Sequence, residues 1–232
     1  MNSPTVAVII PAYNEEQRIG NVLRAVAKCK LADEVIVVSD ASQDRTAQVA
    51  RLHQGVRVIE LPFNTGKGGA MAAGAKATTA AILTFVDADL SGLKPEHVDM
   101  IIRPILDNRC DMCIGIFRGG KFWSDTAQRI SPYISGQRAM RRELFDTIPF
   151  LSEIRMGVEV TINTYAKRNK ARVFRVVLRG VSNTHKERKL GLVKGAAARM
   201  KMYAEIVRAM ERLNRKQKPR RRRVRNPRKP WL

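Results

Sequence analysis

The most constraining feature of this 232-residue chain is the return of short apolar runs through its first half, each followed by a segment of helical length. Thr5 to Ile10 reads as a strand, broken by Pro11-Ala12-Tyr13-Asn14 before a helix from about Glu15 to Cys29. Glu34 to Ser39 is a second strand, followed by Asp40 and a helix from about Asp44 to His53. Arg57 to Leu61 is a third, then a loop through Pro62 and Gly66 and an alanine-rich helix to about Thr79. The run Ala81 to Val86 gives a fourth strand ending at Asp87, Pro95 opens a helix to about Leu106, and Asp111 to Ile116 gives a fifth strand. Apolar runs without polar alternation mark strands covered on both faces. Their alternation with helices predicts an α/β fold with a mostly parallel central sheet flanked by helices. With 44% apolar residues, the chain can fill one core.

Past Arg118 the pattern is less regular. Arg141 to Thr147 and Gly157 to Arg168 read as helices, Arg172 to Leu178 as a strand, and Ser182 to Arg188 as a loop. One domain over 1–190 is expected, with halves 1–117 and 118–190 and no internal repeat. Over 191–214, Val193, Ala197, Met200, Tyr203, Val207, Met210 and Leu213 recur at helical spacing among basic residues, which defines a basic amphipathic helix. The tail 215–232 has ten Lys+Arg, no acid and three prolines, a composition expected to stay disordered alone.

Charge divides the chain unevenly. Residues 1–117 carry 12 Lys+Arg against 13 Asp+Glu, and residues 118–232 carry 31 against 8. The basic half calls for an acidic partner: nucleic acid, anionic lipid or a phosphorylated substrate. No stretch approaches the roughly 20 apolar residues that cross a bilayer, and Met1-Asn2-Ser3-Pro4 does not begin a secretion signal, so a cytoplasmic location is expected. Cys29, Cys110 and Cys113 are an odd set that argues against a disulfide framework, and the C-x-x-C pair lies beside an apolar run, as buried thiols would.

The chemistry gathers at strand ends, where open α/β sheets bind ligands. Pro11 to Glu16, Asp40 to Asp44, Asn64 to Gly68 and Asp87-Ala88-Asp89 each follow one strand and would open on one edge. Paired carboxylates one residue apart suit a divalent cation carrying phosphates, although an isolated D-x-D is more often a solvated loop. The glycine segment lacks the G-x-x-x-x-G-K-[ST] spacing, and Met71 stands where a dinucleotide fingerprint needs its last glycine. Neither an ATPase nor a dehydrogenase is supported. The expectation is instead that these glycines let a helix N-terminus approach a diphosphate.

Val-Ile-Ile-Pro-Ala-Tyr-Asn-Glu-Glu from Val8, Val-Val-Ser-Asp-Ala-Ser-Gln-Asp-Arg-Thr from Val37, Asn-Thr-Gly-Lys-Gly from Asn64 and Asp87-Ala88-Asp89 resemble, in order, the motifs of family 2 glycosyltransferases. The resemblance implies the GT-A (nucleotide-diphospho-sugar transferase) fold over about 5 to 190 and a nucleotide-sugar donor, a UDP-sugar by family habit. It also implies Mg2+ or Mn2+. By the resemblance, Pro11, Ala12, Tyr13 and Glu15 surround the nucleotide and Asp40 contacts the base. Lys67 neutralises the diphosphate, Asp87 with Ala88 meets ribose or sugar hydroxyls, and Asp89 holds the metal. Ser135-Gly136-Gln137-Arg138-Ala139, Gly157-Val158-Glu159-Val160 and Thr184-His185-Lys186 are similar to the closing half of glucosyl-3-phosphoglycerate synthases. That likeness assigns Glu159 to the reaction centre and His185 to the metal site. Polyprenyl-phosphate sugar synthases share a similar S-G-x-R-A element, but Leu90 and Ser91 stand where they usually carry glutamine. The Q-x-x-R-W pattern of processive synthases is missing, against a chain-elongating enzyme.

Three functions compete. A metal-dependent hexosyltransferase could act on a lipid-linked acceptor, polyprenyl phosphate or glycolipid, its basic helix and tail holding it peripherally on the inner face of the membrane. The same chemistry could serve a soluble phosphorylated acceptor such as 3-phosphoglycerate, with Arg118, Lys121, Arg138 and Arg142 as the clamp. A nucleic-acid module would use Arg220 to Arg223, but aromatics are not interleaved with the basic run. A homodimer is compatible with the sequence, which leaves the oligomeric state open.

Overall fold

The computed structural model describes residues 3–118, 135–155 and 157–183. Strands β1 (Val6–Ala12), β2 (Glu34–Ser39), β3 (Val56–Glu60) and β4 (Ile82–Phe85) alternate with helices α1 (Ile19–Val26), α2 (Thr46–Arg51) and α3 (Gly66–Lys76). Then come β5 (Leu90–Ser91), α4 (Pro95–Leu106), β6 (Met112–Arg118), β7 (Arg138–Arg141) and α5 (Arg142–Asp146). A 3-10 turn over Leu151–Glu153, α6 (Val158–Arg168), β8 (Val173–Arg179) and β9 (Ser182–Asn183) complete the described elements.

Seven strands form one sheet in the order β3-β2-β1-β4-β7-β6-β8, and β5 pairs with β9 separately. All neighbours in the large sheet are parallel except β7, which is antiparallel to both β4 and β6. Side chains of β1 alternate between two cores. Val6, Val8 and Ile10 face α1 and α4, while Ile9 faces α3 beside Ile36 and Val38. Val8, Ile9 and Ile10 are fully buried, and each such side chain contributes about 1.5–3 kcal/mol. On α3 the alanines and glycines allow close approach, and a Cβ at Gly74 would collide with the Ile9 side chain.

The expected first helix begins later than its apolar periodicity, at Ile19, because the preceding residues are stitched to the loop after β2. The Glu15 N–H donates to Thr46 Oγ1 at 2.8 Å, the Glu16 N–H to Asp44 Oδ2 at 3.1 Å, and the Arg45 N–H to Glu16 Oε2 at 2.9 Å. Three strands were not expected: the short β5, β7, and β9 at the start of the segment read as a loop. Cys110 and Cys113 are buried, as their surroundings predict. Burial first, then its hydrogen bond to Asp99, pushes the half-buried Cys29 thiol up to about 12. No described helix is long and apolar enough to cross a membrane. The expected helix over 191–214 and the tail lie outside the described residues.

Candidate active site

Hydrogen bonds between strand-end loops assemble one rim at the carboxyl edge of the sheet. The Asp40 N–H donates to Ala12 O at 2.9 Å, and the Gln43 N–H to Asn14 Oδ1 at 2.8 Å. These join the Pro11 to Glu16 and Asp40 to Asp44 loops. Tyr13 stands half-exposed on this rim, Ala12 is buried, and the Glu15 carboxylate pairs with Arg18 at 2.6 Å.

Asp40 is buried at the N-terminus of α3. Its Oδ1 accepts from the Thr65 N–H at 2.7 Å and the Thr65 hydroxyl at 2.8 Å, and its Oδ2 accepts from the Gly66 N–H at 2.8 Å. Both oxygens thus cap a helix, and Oδ2, with one donor here, has a second lone pair. The next two amide donors are also taken: the Lys67 N–H by Arg155 O at 3.3 Å and the Gly68 N–H by Ile154 O at 3.0 Å. The helix terminus is therefore closed to a diphosphate, contrary to the expectation from the glycines. Those glycines admit the 151–155 segment instead. A Cβ on Gly66 would lie 2.5 Å from Arg155 Cα, and one on Gly68 would collide with the carbonyl oxygens of Leu151 and Ile154.

The same packing aims Lys67. Its Nζ lies 2.5 Å from Asp87 Oδ1 and 2.5 Å from Glu159 Oε1, joining the first turn of α3 and the loop after β4 to the first turn of α6. Burial alone would push the ammonium pKa down, but the two carboxylates outweigh it and hold the group above the ordinary lysine range. Asp87 Oδ2 also accepts from Gln137 Nε2 at 2.8 Å. Gly136 forms the floor: a Cβ there would collide with the Asp87 carboxylate and lie 2.6 Å from Lys67 Nζ. Gln137 and Gly136 were not assigned roles from sequence, although their S-G-Q-R-A surroundings had been singled out. The missing information was the antiparallel pairing that sets β7 beside β4.

Asp87 and Asp89 flank the buried Ala88 on the turn between β4 and β5, and both carboxylates are half-buried. The described residues contain no cluster of three His, Cys, Asp or Glu side chains that could hold a metal. A carboxylate at a strand end still fits a hard cation that draws its other oxygens from a diphosphate and water, the usual state of Mg2+. Asp89 is thus the described candidate ligand. His185 and Lys121 lie outside the described residues, and Arg118 is the last residue of β6.

The two remaining clamp arginines are placed elsewhere. Arg138 is fully buried beneath the rim, donating to Glu159 O, Asn163 Oδ1 and Ser135 O. Arg142 lies at the opposite edge of the sheet, where its guanidinium donates to Ala75 O, Thr78 O and Ala80 O around the end of α3 and the approach to β4. Neither can grip an acceptor at the rim: one is sealed below it and the other caps a helix across the sheet.

A mixed sheet with this order, flanked by helices and carrying a Lys-Asp-Glu cluster beside an aspartate pair, defines a GT-A fold. The chain belongs to glycosyl transferase family 2, whose model matches residues 7–163. A glucosyl-3-phosphoglycerate synthase of Mycolicibacterium smegmatis is 28% identical over 197 residues, 69% of this chain and 64% of that enzyme. A 4,4'-diaponeurosporenoate glycosyltransferase of Staphylococcus aureus is 36% identical over 106 residues, 44% of this chain and 28% of that protein. The chain thus spans less than two thirds of these curated relatives. The crystal structure of glucosyl-3-phosphoglycerate synthase from Mycobacterium tuberculosis with Mn2+, uridine diphosphate and glucosyl-3-phosphoglycerate matches with a TM-score of 0.72 at 25% identity, covering 89% of this chain and 78% of that one.

Proposed function

We propose that this chain is a glycosyltransferase that moves a hexose from a nucleoside diphosphate sugar, a uridine donor, to a lipid-linked acceptor at an anionic membrane surface. The observation that carries the transferase reading is Lys67 held between Asp87 and Glu159 at the carboxyl edge of the sheet. Transfer leaves negative charge on the departing nucleoside diphosphate, and a fixed ammonium beside it lowers the barrier. Asp87 orients ribose or sugar hydroxyls, and Glu159 meets the sugar near the reacting carbon. Asp89, with His185, would hold the divalent cation, which supplies Lewis-acid charge to the diphosphate when bound. The mycobacterial synthase of the same fold, seen with Mn2+ and uridine diphosphate, supports both the metal and the base.

The lipid acceptor rests on the strongly basic second half of the sequence, 31 Lys+Arg against 8 Asp+Glu over 118–232. A second reading, transfer to a soluble phosphorylated acid, is favoured by the likeness to the mycobacterial synthase over 89% of the chain. It loses Arg138 and Arg142 as acceptor contacts and keeps Arg118 and Lys121. Thermal denaturation with a panel of nucleotide sugars, with and without Mg2+ or Mn2+, tests the donor. UDP-sugars are expected to raise the melting temperature only with metal, and no metal-dependent shift with any donor would sink the transferase reading. Product assays with polyprenyl phosphate and with 3-phosphoglycerate then separate the acceptors.

A further inference from the structure

Arg138 is the largest fully buried side chain among the described residues. Its Nη1 donates to the main-chain oxygen of Glu159 at 3.4 Å and to Asn163 Oδ1 at 3.1 Å, one turn further along α6. Its Nη2 donates to Ser135 O at 2.5 Å, and its Nε has no partner among the described residues. A sealed guanidinium with an idle donor is a costly way to fill a core, and an apolar side chain of similar volume is often at least as stable in such a place. The stability of the sheet therefore gives no reason for a cation here. The groups that Arg138 holds do: the first turn of α6, which carries Glu159, and the Ser135 to Gln137 segment, which carries the donor to Asp87.

The charges are consistent with this. Lys67 alone would leave the Asp87 and Glu159 carboxylates with one negative charge in excess, at a rim that must receive an anionic diphosphate. Arg138, directly below, makes the count two cations against two carboxylates.

We propose that Arg138 is a positioning residue: it seats Glu159 against Lys67 by fixing the first turn of α6, and it balances the carboxylate pair from beneath the site. It acts through Glu159 and does not touch the donor. The kinetic part of this inference rests on the transferase reading; the geometric part does not.

The test uses the full chain with Asn163→Ala, which removes one acceptor of Arg138, together with Arg138→Lys and Arg138→Gln. The Lys67 ammonium signal is followed by NMR in 15N-lysine-labelled protein, assigned by its loss in Lys67→Met. Turnover is read as UDP release from UDP-glucose with Mn2+ and whichever acceptor, polyprenyl phosphate or 3-phosphoglycerate, takes up the glucose. Asn163→Ala and Arg138→Gln are expected to displace the Lys67 signal and to lower kcat by about 10- to 100-fold with KM for UDP-glucose within about twofold, the pattern of a misaligned reacting group. Arg138→Lys is expected to recover part of kcat. An unmoved Lys67 signal in both Asn163→Ala and Arg138→Lys would overturn the proposal. So would a folded variant set with lowered melting temperatures and unchanged kcat. Should Arg138→Gln fail to fold, the other two variants decide. Should the unaltered chain release no UDP with either acceptor and show no metal-dependent thermal shift with any nucleotide sugar, the transferase reading fails, and the Lys67 signal alone judges the positioning role.

Discussion

At the scale of single residues, Lys67 carries the largest consequences. Replacing it with methionine removes the one described cation that touches both carboxylates, and kcat/KM for donor turnover should fall about 100- to 1000-fold, as when an electrostatic donor to a transition state is lost. The pH dependence of its structural contribution has a definite sign. The folded pKa of Lys67 lies above the ordinary value of 10.5, so the stability it adds is fully present below that value and disappears as pH rises through the folded one. The difference in unfolding free energy between the unaltered chain and Lys67→Met should therefore be flat from about pH 7 to about pH 9 and shrink only above about pH 10.5. Urea unfolding at stepped pH measures it, and a slope across the neutral range would contradict the charged assignment. Arginines show the opposite lesson. Nothing in their sequence positions distinguishes Arg138, sealed under the rim, from Arg142, which caps α3 across the sheet. Charge is legible in a sequence; which side of a sheet receives it depends on strand order.

At the scale of elements, the tightest joint is the one between α3 and the 151–155 segment. Gly68→Ala would push a methyl group into two carbonyl oxygens that cannot rotate away, so either α3 or the segment must shift. A loss of about 1–3 kcal/mol is expected, together with reduced turnover because the same helix presents Lys67; calorimetry with kinetics on one preparation checks both. Elements with local signals were readable in advance. Helix α4 occupies Pro95–Leu106 as expected, because a proline at the first helical position and apolar periodicity act within a dozen residues. Strand β2 likewise matches Glu34–Ser39. Strand β7 was missed because Arg-Ala-Met-Arg has no apolar run of its own, and its partners β4 and β6 lie far away in sequence. The closed terminus of α3 was missed for a similar reason. A glycine-rich stretch before a helix looks the same whether it admits a phosphate or a neighbouring carbonyl.

At the scale of the whole molecule, charge separation is the governing feature. The half over 1–117 is nearly neutral, while the half over 118–232 is strongly basic and ends in ten Lys+Arg over 215–232. Each basic residue near an anionic bilayer contributes about 1 kcal/mol. Deleting 215–232 should weaken sedimentation with phosphatidylserine vesicles at low salt while leaving the metal-dependent thermal shift with UDP-glucose intact. Equal sedimentation of the shortened and full chains would remove the argument for a lipid acceptor. The sheet order has one more consequence, for how the chain is made. Strand β7 is wedged between β4 and β6, both of which leave the ribosome before it. Until 138–141 emerge, the facing edges of β4 and β6 stay open with nothing to join them. Such edges invite association with other chains, so slow translation or early termination just before this stretch would yield a fragment prone to aggregate, and the sheet closes only when a short, late segment slides into its centre.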